Sequence, residues 1–362
     1  MMLNLKIAGL SLLAMICATF TVNADGFKLD AKPDAVMIYF NVKNDGGWVQ
    51  ALDEARLRME NSLGIKIAHV EKIPEVATEI RPAVQKFIKR GKNIIIGSAF
   101  GYSDTFKELA EEYPNVAFLN AAGTTNNEKN LVSFYGRTYE SQYLCGMVAG
   151  AMTKSNKIGF VAANPFGLVN WTVNAYLLGA QQMNPDVTMN VVFTGAWYDP
   201  VKERAAAEAL VEQGIDVIGQ HVDTPTPQIV AQENGIFGTG HHRDMVEFAN
   251  DATLCSSVWV WDRYLGPKIK EISDGNWSPS AWGDFLSIKD GGTDIALNKS
   301  VPENVVKRVM EEREAIMNGK QIYAGPLKDQ SGTVRVAAGS APNDGELWGM
   351  DYLLEGIVGN LN

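Results

Sequence analysis

Short apolar runs alternate with amphipathic stretches along almost the whole chain. Residues 35–40 form an apolar run, followed by a glycine-rich turn and a helical stretch over 48–63. The pattern then predicts a strand over 65–70, a helix over 75–90, a strand over 93–97, a helix over 104–112 and a strand over 116–119. The second half repeats the rhythm, with strands at 158–161, 191–194 and 217–219 separated by helices at 169–183 and 200–213. Near-continuous apolar runs between helices with one apolar face describe parallel strands covered on both sides. Each half is therefore expected to be a doubly wound α/β sandwich. Two helix starts are marked in the sequence: Asp104, and Asp199-Pro200 with proline at the first helical position.

No linker rich in Pro, Gly or Ser separates the halves. The polar stretch 153–157 marks the changeover, which gives a first lobe over 34–152 and a second over 153–262. A late stretch, 280–297, carries strand-like pieces, so part of about 263–297 is expected to return to the first lobe and 298–362 to belong with the second. Two domains crossed repeatedly by one chain have a hinge and a cleft, which points to ligand capture by closure.

Residues 1–24 read as a secretory signal peptide: Lys6, the apolar run 7–20, then the small residues Val22 and Ala24 before a cleavage point. Ile16 stands immediately before Cys17, where lipoprotein leaders place a small residue, so the expectation is a soluble periplasmic protein without a lipid anchor. No other stretch reaches the roughly 18 apolar residues of a membrane span. Beyond the leader only Cys145 and Cys255 remain; they read as buried and free, with a bridge as the alternative. Lys plus Arg is 32 against 42 for Asp plus Glu, a net charge of −10. Such a surface repels phosphate backbones and argues against a nucleic-acid partner. The basic cluster Lys86, Lys89, Arg90 and Lys92 reads as a solvated C-terminal helix turn.

In open α/β sheets ligands bind beyond the carboxyl ends of the strands, so the residues following each strand carry the candidate chemistry. After the first strand stand Asp45, with two acceptor oxygens, Gly46 and Gly47, which let the backbone approach a ligand, and Trp48, with a flat π face. Trp197-Tyr198-Asp199, Gln220-His221-Val222-Asp223 and Gly240-His241-His242-Arg243-Asp244 follow later strands. Tryptophans on both sides of a cleft sandwich a planar ring. A second reading makes His221, His241 and His242, with Asp223, a zinc-binding receptor site, although adjacent strand residues point to opposite faces. A third takes Asp45 and His242 as the acid–base pair of an exported nucleoside hydrolase-like enzyme. Enzyme signatures are missing: 97–101 has the wrong spacing for a nucleophile elbow, there is no phosphate loop, and Arg243 stands where a dinucleotide fingerprint needs its third glycine. Neither catalysis nor a cofactor is expected.

Asp45-Gly-Gly-Trp48, the stretches 134–140 (Phe-Tyr-Gly-Arg-Thr-Tyr-Glu) and 152–161 (Met-Thr-Lys-Ser-Asn-Lys-Ile-Gly-Phe-Val), Trp197-Tyr-Asp-Pro-Val-Lys-Glu203, 216–221 and Gly325-Pro-Leu-Lys-Asp329 resemble the basic membrane protein (BMP) family. The likeness runs in order from about residue 34 to the C-terminus. That family comprises substrate-binding proteins of ABC importers for purine nucleosides or nucleobases. The resemblance implies a type I periplasmic-binding-protein fold, two doubly wound α/β lobes around a ligand cleft. It also implies an ABC-transporter permease as partner, with the membrane reached only through that permease. It gives Trp48 the place of the ring-stacking aromatic, Trp197 that of its counterpart and Asp45 that of an acid near the base. His242 falls where nucleoside binders carry the aspartate that holds ribose, and Val49 where they often carry asparagine. Both departures point to a free base. The expected binding set is Asp45, Gly47, Trp48, Trp197, His221, Asp223 and His242.

Overall fold

The computed structural model describes residues 27–361. The leader reading of 1–24, Cys17 included, lies outside the described residues. The chain opens with β1 (Ala35–Ile38), α1 (Trp48–Leu63), β2 (Ala68–Val70), α2 (Ala77–Ile88), β3 (Ile94–Gly97), α3 (Ser103–Glu112), β4 (Ala117–Ala121) and β5 (Leu131–Gly136). It continues with α4 (Thr138–Met152), β6 (Lys157–Ala162), α5 (Gly167–Met183), β7 (Thr188–Phe193), α6 (Pro200–Glu212), β8 (Val217–His221), α7 (Thr226–Glu233), β9 (Phe237–Gly240) and β10 (Thr253–Trp259). The last part holds α8 (Asp262–Ser273), β11 (Asp284–Leu286), β12 (Thr293–Leu297), α9 (Glu303–Met317), β13 (Leu327–Lys328), β14 (Val334–Val336), α10 (Asp344–Trp348) and β15 (Ile357–Val358).

The first sheet has the order β11-β5-β4-β3-β1-β2 and is parallel throughout. The second runs β12-β10-β9-β8-β6-β7-β15, with only the β10–β12 pair antiparallel. Strands β1, β3, β4 and β5 are buried at every position, as strands covered on both faces must be. The order reverses at β1 in one sheet and at β6 in the other. These are the switch points beside which a crevice opens.

The chain passes between the sheets three times: at Arg137, at Val260 between β10 and α8, and in the stretch 287–292. The first passage lies ahead of the polar stretch 153–157. Helix α4 packs on α5, β10 and β12, so it belongs to the second sheet's layer. It is buried from Thr138 through Gly150 and shows no polar face, which hid it from a reading based on amphipathic periodicity. Its backbone touches that of α5: a Cβ on Gly146 would fall 2.0 Å from the Tyr176 carbonyl oxygen, and one on Gly179 1.9 Å from that of Tyr143. Strand β11 pairs with β5 in the first sheet, whereas β12 pairs with β10 in the second, so 280–297 is divided between the two.

Helix starts differ in one case. Asp199 caps α6 as expected, accepting from the Lys202 N–H at 3.1 Å. Asp104 does not cap α3; a 3₁₀ turn over Phe100–Tyr102 leads directly into Ser103, whose hydroxyl donates back to the Phe100 carbonyl. Cys145 and Cys255 are both buried and free.

Candidate functional site

Asp45 organises the turn after β1. Its Oδ1 accepts from the Gly47 and Gln50 N–H groups and its Oδ2 from that of Val49, each at 3.0 Å, which satisfies free donors at the start of α1. Trp48 is thereby fixed as the first residue of α1, and its indole N–H donates to the Ser98 carbonyl beyond β3 at 2.7 Å. The Trp48 ring meets Trp259, Trp261 and His242 edge-on, at 5.3, 5.8 and 5.7 Å between centroids. Behind it, Trp259 and Trp261 stack at 4.3 Å with planes 15° apart.

A cavity lies between the strand ends of the two sheets. Phe40, Trp48, Phe100 and Tyr135 wall it from the first sheet, Leu168 and Trp197 from the second. Ser98, Glu75, His221, Asp223 and His242 supply its polar edge, and among the described residues neither lysine nor arginine lines it. The space is a slot that opens toward solvent past Glu75 and Phe100, both exposed. The two layers are closed over it. A Cβ on Gly47 would fall 1.8 Å from the Asp223 carbonyl oxygen, and one on Gly46 2.7 Å from the Pro225 ring. Arg243 reaches Glu54 on α1 with Nε at 3.0 Å and Nη2 at 2.7 Å.

Five of the seven residues expected from the sequence line this cavity: Trp48, Trp197, His221, Asp223 and His242. Asp45 and Gly47 stand beside it, Asp45 occupied by main-chain N–H groups and Gly47 pressed against Asp223. Phe40, Glu75, Ser98, Phe100 and Tyr135 were not singled out in the sequence. The first four follow strand ends and were open to the same reasoning, while Tyr135 sits inside the apolar run of β5.

His221, His241 and His242 form a buried cluster of tilted rings. Ring centroids lie 4.3 Å apart for His221–His241 and 4.1 Å for His241–His242. Burial holds His221 and His241 well below the usual histidine pKa and His242 down at about 3. Gln142 Nε2 donates to His241 Nδ1 at 3.0 Å, whereas His221 Nδ1 and His241 Nε2 have no partner among the described residues. Trp259 Nε1–H donates to His242 Nδ1 at 2.8 Å, and His242 Nε2 lies 3.0 Å from Asp223 Oδ1. Burial, then the neighbouring Glu75, raises Asp223 well above the carboxylate range; burial, then Asp223, raises Asp45 to about 6.

This arrangement bears on the rival readings. Among the described residues no three His, Cys, Asp or Glu side chains converge to hold a metal ion, so the histidines touch as rings without forming a ligand set. Both His242 nitrogens are engaged and Asp45 holds three N–H groups, which leaves that pair unsuited to proton transfer.

Two α/β layers crossed three times, with a cavity between their strand ends, define a periplasmic-binding-protein fold. Solved structures share it. An ABC transporter system solute-binding protein from Aeropyrum pernix K1 gives a TM-score of 0.68 at 18% identity, covering 89% of this chain and 100% of that one. A transcriptional activator of the comK gene from Bacillus halodurans gives 0.71 at 21%, covering 79% and 99%. The model of the Bmp family, PnrA-like ABC transporter substrate-binding proteins, matches residues 32–325, and the chain belongs to that family. A purine-binding protein of Brucella abortus (strain 2308) is 33% identical over 325 residues, 88% of this chain and 91% of its own length. A putative ABC transporter glucose-binding protein of Haloferax volcanii is 31% identical over 299 residues, 81% and 74% of the two chains. The protein is thus an ABC transporter substrate-binding protein, a component that binds a small molecule for a permease and stands outside the cytoplasm in this family. Among the described residues no helix is long and apolar enough to cross a membrane.

Proposed function

We propose that the protein captures a purine base in the slot between its sheets, stacked between Trp48 and Trp197, and delivers it to its permease. The observation that carries this reading is the slot itself: aromatic side chains from both layers face a narrow space with polar groups along one edge. A flat ring fits such a space, and each aromatic face contributes about 1–3 kcal/mol to holding it. The purine-binding relative from Brucella abortus supports the ligand class. His242 is engaged by Trp259 and Asp223 and offers nothing to ribose hydroxyls, so a free base is preferred over a nucleoside.

The test is a melting series on protein unfolded and refolded to strip carried ligand. Adenine, guanine and hypoxanthine, their nucleosides, glucose and zinc form separate arms. A ligand at 100 times its dissociation constant that binds only the folded state adds about 2.7 kcal/mol, a readily seen shift. Shifts with bases and none with nucleosides are expected. Silence from every purine overturns the proposal, and a shift with glucose or zinc redirects it.

A further inference from the structure

We propose that Trp259, acting through His242, makes Asp223 a hydrogen-bond donor toward the ligand, so that the slot selects a ring presenting an unprotonated nitrogen or a carbonyl oxygen at that edge. The inference rests on the reading of the slot as a heterocycle site.

It follows from the order of the hydrogen bonds. An indole N–H only donates, so the 2.8 Å contact from Trp259 makes His242 Nδ1 an acceptor. The proton of the neutral imidazole then sits on Nε2, which faces Asp223 Oδ1 at 3.0 Å, and Oδ1 must accept it. Trp259 holds His242 a second time, its main-chain N–H donating to the His242 carbonyl at 3.0 Å. His242 has a left-handed backbone, φ 72°, unusual for a residue with a Cβ, so its ring is aimed by a conformation the surroundings enforce. What remains is Asp223 Oδ2. It has no partner among the described residues, and Asp223 lines the slot.

Whether Oδ2 offers a proton or a lone pair depends on what surrounds it. Asp45, Glu75 and Glu203 are acids; His221 and His242 are buried; Tyr135 and Tyr198 stand nearby. With neither lysine nor arginine in the wall among the described residues, a carboxylate buried here would lie among other acids without a cation. The neutral acid is the state that fits, and burial raises Asp223 in the same direction. Since Oδ1 already accepts from His242, the acid proton resides on Oδ2 and points at the ligand. Trp259 is a positioning residue in this arrangement. Without its N–H, His242 can carry its proton on Nδ1 and accept one from Oδ1 of Asp223, which strips Oδ2 of its donor.

Two sets of measurements test this. Calorimetric titration of the wild type, Asp223→Asn, Asp223→Ala and Trp259→Phe would use adenine and its 1-, 3- and 7-deaza analogues, each with one ring nitrogen replaced by CH. One analogue is expected to bind the wild type about tenfold more weakly, and Asp223→Ala to lose a similar factor with no further loss for that analogue. Asp223→Asn keeps an N–H donor and is expected to stay within about threefold of the wild type. An Asn variant as weak as the Ala variant means a carboxylate acceptor and overturns the proposal. The second set needs no ligand. Carboxyl ¹³C and imidazole ¹⁵N spectra at pH 7 are expected to give a protonated Asp223 and an Nε2–H His242 in the wild type, with the Nδ1–H form emerging in Trp259→Phe. An ionised Asp223 or an Nδ1–H His242 in the wild type overturns the proposal. If no purine binds, the failure belongs to the assigned ligand, and the spectra still decide the proton's place.

Discussion

Trp48 is held from two sides by different forces. Its indole N–H is tied to the Ser98 carbonyl, and its ring rests edge-on against Trp259, Trp261 and His242, so its free face is turned to the slot without needing a ligand to order it. Preorganisation of this kind lowers the entropy lost on binding. Trp48→Ala is therefore expected to weaken ligand binding by about 1–3 kcal/mol in a calorimetric titration. Affinity unchanged by the substitution would remove Trp48 from the site. At this scale the sequence was readable at Trp48, Trp197, His221, Asp223 and His242, which end or follow strands, because sheet geometry places such residues at the crevice. It was unreadable at Trp259, a buried residue at the end of β10 that looks like core. Its role depends on a hydrogen bond to a residue 17 positions earlier, and no spacing rule encodes that.

At the scale of elements, the start of α1 and the loop after β8 form the seam of the closed molecule. Gly47 admits the Asp223 carbonyl because it lacks a Cβ. Gly47→Ala is expected to leave both layers folded but to prop the seam open. In small-angle scattering its radius of gyration should then stay constant on adding the ligand that contracts the wild type; equal contraction in both would refute this. Legibility varied from element to element. Helix α1 was read to its ends, and β1, β3 and β8 to within a few residues. Helix α4 escaped because all its sides are buried, and with it went the position of the first crossover, which depends on which sheet that helix covers.

For the whole molecule, buried titratable groups oppose one another. Burial holds the three histidines His221, His241 and His242 below their ordinary pKa, His242 at about 3. The unfolded chain therefore binds more protons than the folded one just below pH 6.5, and these groups lower stability as the pH falls through that value. The acids have the opposite sign. Burial raises Asp45 to about 6, Glu140 and Glu203 to about 7, and Asp223 further above its ordinary range. They keep protons that the unfolded chain releases near pH 4 or so, and each lowers stability as the pH rises from there toward its folded value. Above pH 6.5 the histidine contribution dies away over about one pH unit, and the opposite slope of the acids outweighs it. The melting temperature of the ligand-free protein is expected to decline from pH 6.5 to 8, and Asp223→Asn to flatten the decline. A rise over that interval would show that these acids are ionised in the folded state.

The stacked pair Trp259 and Trp261 also gives the molecule an optical signature. Two indoles 4.3 Å apart share their electronic excitation, which splits into bands of opposite circular dichroism, and the pair lies directly behind Trp48 at the wall of the slot. Trp282, by contrast, is 93% exposed and emits as an indole in water. One unlabelled sample thus carries an absorptive reporter of the interior and an emissive reporter of the surface, and unfolding that begins in one region can be timed against the other.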